Sequence, residues 1–266
     1  MTDIITLLNK RADLDTVIGR NVWTSVKVND LFVPANSLQA RLNRFGRNLA
    51  FFTHVTDYEV QLIGSATCLD YRGNKFLVST AHQVDGRPGE DIGIVVPGEN
   101  TYMTSAGYTR YRPSDKENDT DARDLCAFDF TPQSAEDGSL SQRFFRLEAN
   151  TTLEDGDDVI GLLAYGCPYV DQKYNIVDEN TVGAVIRSMT CEPMEKSADA
   201  AVGKCRTLSP MDFDANGLSG GPVFASVLDR HEIVLKFAGV INRAGGGVIH
   251  YIKARAVAAL LDKAID

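Results

Sequence analysis

Short runs rich in Val, Ile, Phe and Thr, cut at brief intervals by Gly, Asp, Asn and Pro, constrain this chain most. The runs at 26–29, 49–55, 60–63, 65–69, 76–80 and 92–96 form one group, and those at 158–165, 181–187, 222–228, 233–241 and 248–252 form a second. β-branched and aromatic residues suit a pleated, half-buried surface, and the intervening residues suit tight turns. Helical spacing is confined to the ends. Ile4, Leu7, Leu8, Leu14, Val17 and Ile18 make one stripe before Gly19, and Val257, Leu260, Leu261, Ala264 and Ile265 make another. The pattern predicts an all-β protein built as two barrels or sandwiches, with a helix at each end. Two polar stretches interrupt it, a loop at 113–124 and a linker at 131–140.

Composition narrows the function. The 266 residues carry a net charge of −9, against the basic surplus of a nucleic-acid binder. No apolar run approaches the ~18–20 residues needed to cross a bilayer, and Asp3, Lys10, Arg11 and Asp13 come too early for a secretory signal. Five cysteines (Cys68, Cys126, Cys167, Cys191 and Cys205) lack CxxC spacing, so they predict buried thiols rather than a disulfide framework or zinc site. The acidic stretch 154–158 lacks the ligand spacing of a calcium loop and reads as a solvated turn. The expectation is a soluble, cytoplasmic protein without metal or cofactor, nucleic-acid partner or membrane partner.

One cluster carries chemistry: Gly217-Leu218-Ser219-Gly220-Gly221-Pro222. A serine between glycines lets the backbone approach a substrate, uncovers the hydroxyl and turns neighbouring N–H groups into one concavity. Serine needs a general base, usually a histidine held by a carboxylate. Of His54, His82, His231 and His250, His82 has the right context, ending the apolar run 76–81 where a strand would open into a cleft. Asp124 is the preferred carboxylate because it leaves the polar loop and begins the strand-like run 125–130. Asp119 and Asp121 lie deeper in the loop, and Asp129 lies inside the run.

These motifs, together with Ser65-Ala66-Thr67-Cys68 before the histidine strand, resemble the chymotrypsin-like serine peptidases, in that family's order His, Asp, Ser. The resemblance extends over roughly residues 45–265. The run 237–242 looks like the strand that aligns substrate, and 247–252 with its helix looks like the end of the second barrel. It implies two antiparallel six-stranded β-barrels with the site between them, divided as a helical extension at 1–25, barrels at 26–135 and 136–252, and a helix at 253–266. It implies Ser219 as nucleophile, His82 as base and then acid, and Asp124 as the group that orients the imidazole. The N–H groups of Gly217 and Ser219 would form the oxyanion hole. Phe213, Asp214, Ile241, Asn242 and Arg243 fall where substrate would lie, and the partner implied is a peptide or protein, with any regulatory protein left open.

Departures from the family pattern matter. Gln83 stands where a cysteine would follow the histidine, which fits a reducing compartment. Leu218 stands where zymogen-activated members carry an aspartate that pairs with a newly cut N-terminus, so that activation is closed and a preformed site is expected. Phe213 and Asp214 give no clear trypsin-like preference, and His250, on an apolar run, reads as a core or pocket-wall histidine. Two other classes fit parts of the pattern. One is a silent peptidase fold kept as a binding module; the other is an α/β-hydrolase esterase, whose G-x-S-x-G elbow needs a helix after the serine.

Overall fold

The computed structural model describes residues 25–52, 60–96, 102–111, 121–175, 181–195 and 197–265. The expected N-terminal helix, His54 and Asp119 lie outside them. In chain order, strands β1 (Ser25–Val28) and β2 (Leu31–Pro34) form a hairpin, and helix α1 (Leu38–Leu42) leads to β3 (Gly46–Phe52), β4 (Val60–Tyr71) and β5 (Asn74–Ser79). Helix α2 (Ala81–Val84) precedes β6 (Ile92–Val95), β7 (Tyr102–Thr104), β8 (Gly107–Arg110) and β9 (Cys126–Asp129). Helices α3 (Thr131–Glu136) and α4 (Gly138–Ser141) and strand β10 (Phe145–Arg146) follow. The second half contains β11 (Val159–Gly166), β12 (Lys173–Asn175), β13 (Thr181–Gly183), β14 (Arg187–Pro193) and β15 (Val202–Thr207). Strands β16 (Pro222–Asp229), β17 (Glu232–Gly245) and β18 (Val248–Lys253) and helix α5 (Ala254–Ile265) complete it.

The second half closes. Its strands run β16-β11-β14-β15-β18-β17, and β17 pairs back onto β16, giving a six-stranded barrel; β1 and β2 extend the sheet beyond β17. The first half is a curled sheet in the order β7-β6-β3-β4-β5-β9-β8, with β10 alongside β4. Among the described residues its edge strands β7 and β8 do not pair, so the expected first barrel is an open half-barrel here. The stretch 131–140, expected as a linker, instead holds α3 and α4: Pro132 lies in the first turn of α3, and the Asp137 carboxylate accepts the Ser139 N–H at the start of α4. The expected single strand 181–187 breaks into the ends of β13 and β14.

Three apolar cores result. One fills the closed barrel, with Leu162, Val223, Ala225, Ile241 and Ile249; one lines the half-barrel, with Leu49, Ile63, Leu77, Phe128 and Phe130. The third joins the two sheets. There Phe45, Phe145, Phe224 and Phe237 pack ring against ring at centroid separations of 5.0–6.4 Å, and α5 adds Val257, Leu260 and Leu261. Among the described residues no helix is long and apolar enough to cross a membrane.

Because α5 seals this shared core, Leu261→Ala, at a position with no exposure, is expected to destabilise the protein by about 2–5 kcal/mol. Urea unfolding followed by far-UV circular dichroism measures this; a change below about 0.5 kcal/mol, the scale of a surface substitution, would mean that α5 does not seal the core.

Candidate active site

The pairing of β5 with β9 sets Ser79 opposite Cys126, and this brings the segments just beyond them together. After β5 the chain turns at Thr80 into α2, which carries His82. Before β9, a single 3-10 turn (Asp121–Arg123) delivers Asp124. Asp124 then holds His82 at two points. Its Oδ2 lies 2.6 Å from the imidazole Nδ1, and its Oδ1 accepts the His82 backbone N–H at 2.9 Å. The Asp124 carbonyl also accepts the Ala81 N–H at 3.3 Å. With Nδ1 engaged, Nε2 is the nitrogen left to exchange a proton. The hydrogen bond from Asp124 raises the His82 pKa above its ordinary value; partial burial opposes that, and the charges of Asp124 and Asp85 add to it.

Two of the other candidate acids are committed elsewhere. Asp129 Oδ1 accepts the Thr131 N–H at 2.8 Å, and Asp121 pairs with Arg243 at 3.2 Å.

Ser219 sits on a turn that only glycines can build. Gly217 and Gly220 have φ of +96° and +88°, and a Cβ on Gly220 or Gly221 would fall 1.9 Å from the carbonyl oxygen of Ser65 or Tyr165. Strand β4 of the half-barrel grips this turn. The Ser65 N–H donates to Ser219 O (3.2 Å), the Ser65 hydroxyl to Gly217 O (2.6 Å), and the Thr67 hydroxyl to Gly220 O (2.8 Å). From the barrel side, Gly220 N–H donates to Ile241 O and Ile241 N–H to Gly221 O. The N–H groups of Gly217 and Ser219 donate to no acceptor among the described residues. The peptide that carries the Gly217 N–H is held at its other end, where Asn216 O accepts the Tyr169 N–H at 2.9 Å.

Asn242 explains where the serine hydroxyl points. Ile241 faces Tyr251 and Arg243 faces His250, so Asn242 is the extra residue of a β-bulge and its carbonyl leaves the ladder. Ser219 Oγ donates to that carbonyl at 2.6 Å and not to His82. The remaining expected substrate residues are placed as follows. Phe213 is partly buried with the Arg187 guanidinium 5.3 Å from its ring centre. Asp214 accepts both the Asn216 N–H and its side-chain amide at 3.0 Å. Ile241 is wholly buried in the barrel core, and Arg243 ties β17 to the turn before Asp124. His250 is partly buried on β18; burial first, then Arg243 and Lys204, lower its pKa, while Asp121 works against them.

Gln83, which the sequence marks only as standing where a cysteine would, makes a contact that sequence reasoning passed over. Its amide donates to Ser219 O at 2.6 Å, and its own carbonyl oxygen lies 3.3 Å from Ser79 Oγ, its donor. It thus links the histidine helix to the serine turn, and it fits because Gly64, at φ +136°, leaves room where a Cβ would fall 2.3 Å from the Gln83 oxygen. No local pattern marks such a contact, since the partners lie 136 residues apart.

No family model matches the sequence, and no curated protein does. Solved structures are similar in fold. The active form of the Rv3671c protease from M. tuberculosis superposes with a TM-score of 0.50 at 15% identity, over 86% of this chain and 84% of that one. The protease Anisep from Arthrobacter nicotinovorans superposes with a TM-score of 0.50 at 13% identity, over 83% of this chain and 95% of that one. At such identities the likeness is one of fold: the chain shares the architecture of bacterial proteases.

The two-point hold predicts a titration. His82 should take its proton above the ordinary imidazole value of about 6.5, and Asp124→Asn should bring that midpoint down. The stability this pair contributes is present at low pH and is lost as pH rises through the raised folded-state pKa. NMR of the imidazole resonances against pH reads both; a His82 midpoint unmoved by Asp124→Asn would contradict the geometry.

Proposed function

We infer that this chain is a serine endopeptidase of the chymotrypsin-like fold, acting through a Ser219–His82–Asp124 triad without zymogen-type N-terminal activation. The observation that carries the reading is the two-point hold of Asp124 on His82, made by the half-barrel, beside a glycine-built serine turn supplied by the closed barrel. The fold likeness to proteases supports it. Against the esterase reading, β16 follows the serine where an α/β-hydrolase elbow requires a helix.

In the proposed reaction the Ser219 hydroxyl leaves the Asn242 carbonyl, passes its proton to His82 Nε2, and Oγ bonds to the scissile carbonyl carbon. The carbonyl oxygen takes the negative charge and receives the N–H groups of Gly217 and Ser219, which lack other acceptors among the described residues. Asp124 stabilises the imidazolium. The intermediate then expels the amine, which takes the proton from His82, and leaves an acyl-Ser219 ester. Water, deprotonated by His82, hydrolyses the ester and restores the hydroxyl. Beyond Val240, β17 no longer pairs with β16, which leaves Asn242 and Arg243 on an edge where an extended peptide could lie. Five unpaired, buried thiols favour a reducing, cytoplasmic setting.

A second reading, a binding module with a silent site, draws on the hydroxyl's bond to Asn242 in place of His82. A fluorophosphonate probe separates the two. Labelling at Ser219, abolished by Ser219→Ala, is expected, together with a loss of proteolysis on the order of 10⁴–10⁶ in kcat. An unlabelled protein with no peptidase activity would favour the binding module. Asp124→Asn should lower kcat by about 10⁴ near neutral pH. Asp129→Asn and Asp121→Asn, which remove a turn cap and a surface ion pair, should each change kcat/KM by less than about tenfold. A crippled Asp121→Asn enzyme would move the orienting role to that residue.

A further inference from the structure

Beside the serine turn, two adjacent apolar side chains stand in water. Tyr169 and Val170 are 42% and 61% exposed, and they open the single 3-10 turn Tyr169–Asp171 that follows β11. A lone exposed apolar residue needs no explanation. What sets this pair apart is how firmly it is held and where it lies.

The turn is braced from several sides. Asp171 accepts from Arg187 Nε and Nη2 at 2.6 and 2.9 Å, and the Gln172 side chain bonds Pro168 O, Val185 O and the Val185 N–H. The Tyr169 hydroxyl donates to Ile63 O on β4, so its ring spans from the closed barrel to the half-barrel. Tyr169 also lies directly against Gly217. A Cβ on that glycine would fall 2.9 Å from Tyr169 N and 3.2 Å from Cδ1 of the ring. The Ser219 turn therefore has two ends: β17 bonds the Gly220–Gly221 end through Ile241, and Tyr169 covers the Gly217 end.

We propose that Tyr169 and Val170 form a subsite for a bulky apolar side chain on the leaving-group side of the scissile bond, so that the enzyme cleaves before such residues. The proposal rests on the serine-peptidase reading above. An acyl chain laid on β17 beyond Val240 enters over the Gly220–Gly221 end. The leaving amine, which takes its proton from His82 on the half-barrel, departs past the other end, where the Tyr169 hydroxyl already reaches β4. An apolar side chain there covers the exposed ring and methyl groups. Asp171 and Arg187 are paired with each other, so a charged side chain gains no partner from them.

Aminolysis of an acyl-enzyme tests the subsite, because a capturing amine enters where the leaving amine departs. p-Nitrophenyl acetate acetylates Ser219 and expels nitrophenolate, a leaving group without an amino-acid side chain. An added amino-acid amide then bonds through its amine to the acetyl carbon as the Ser219 oxygen leaves; His82 takes the amine's proton and returns it to that oxygen. Glycinamide, glutaminamide and leucinamide compete at equal concentration, mass spectrometry quantifies the N-acetyl products, and Ser219→Ala sets the uncatalysed background. Leucinamide should be captured at least about tenfold over either competitor, and Val170→Ser and Tyr169→Ala should each lower that ratio severalfold. Equal capture of the three amides, no capture by an acetyl-enzyme that does form, or a ratio unchanged in both variants overturns the subsite. A protein that forms no acetyl-enzyme overturns the peptidase reading, and the subsite with it. If Tyr169→Ala does not fold, Val170→Ser, at an exposed position, decides alone.

Discussion

The hydrogen bonds from β4 to the serine turn are the constraint on which the arrangement rests. Ser65 and Thr67 belong to the half-barrel, and Gly217, Ser219 and Gly220 belong to the loop that enters the closed barrel. Both hydroxyls are buried, and the Ser65 hydroxyl is used twice, since it also accepts the Cys167 N–H at 2.7 Å. The Gly217 and Gly220 carbonyls would otherwise be buried acceptors without a partner, so the contact is enforced by the penalty for breaking it more than by its own net gain. The approach is close enough to exclude any side chain at Gly220, whose Cβ would fall 1.9 Å from the Ser65 carbonyl oxygen. Sequence, backbone geometry and the junction of the sheets are therefore a single requirement at this point.

The histidine end of the site depends on register. A slip of one residue between β5 and β9 would turn Ser79 and Cys126 to the opposite face and separate His82 from Asp124. The buried apolar faces of both strands, with Leu77 and Phe128 in one core and Val78 and Ala127 in another, forbid that slip. Core packing thereby fixes a polar contact at the strand ends. The imidazole remains half exposed, so its raised pKa comes from the Asp124 hydrogen bond against the opposing pull of burial.

Much of this was legible in the sequence where one residue type alone could serve. The Gly-Leu-Ser-Gly-Gly motif announces a turn with positive φ and close backbone contacts, and the structure has both. Asp124 stood out because it begins a strand, and it is the aspartate found against His82. Among the strands that escaped notice, β14 and β15 read Arg-Ser-Met-Thr-Cys-Glu-Pro and Val-Gly-Lys-Cys-Arg-Thr; their inward faces are made of small or sulfur-bearing residues that give no apolar alternation. The helices α3 and α4 were hidden by polar residues, although Pro132 and Asp137 mark their starts. The Ser219–Asn242 hydrogen bond and the bridge through Gln83 join residues 23 and 136 positions apart, beyond the reach of any local pattern.

Leu218 shows how the turn is anchored without an ion pair. It is wholly buried in the closed barrel's core, and it lies so close to Gly166 that a Cβ there would meet its Cδ2 at 2.7 Å. Its N–H donates to Ala215 O and its carbonyl accepts the Gly221 N–H, so the burial of one apolar side chain positions the backbone on both sides of Ser219. Apolar burial does not titrate and needs no free terminus, so the turn forms when the barrel folds. The backbone is then settled from both sheets, by Leu218 and Ile241 on one side and by Ser65 and Thr67 on the other. What is left free to change is the Ser219 hydroxyl. In the proposed reaction the hydroxyl must leave the Asn242 carbonyl for the imidazole, while the backbone on either side of it stays as the two sheets hold it.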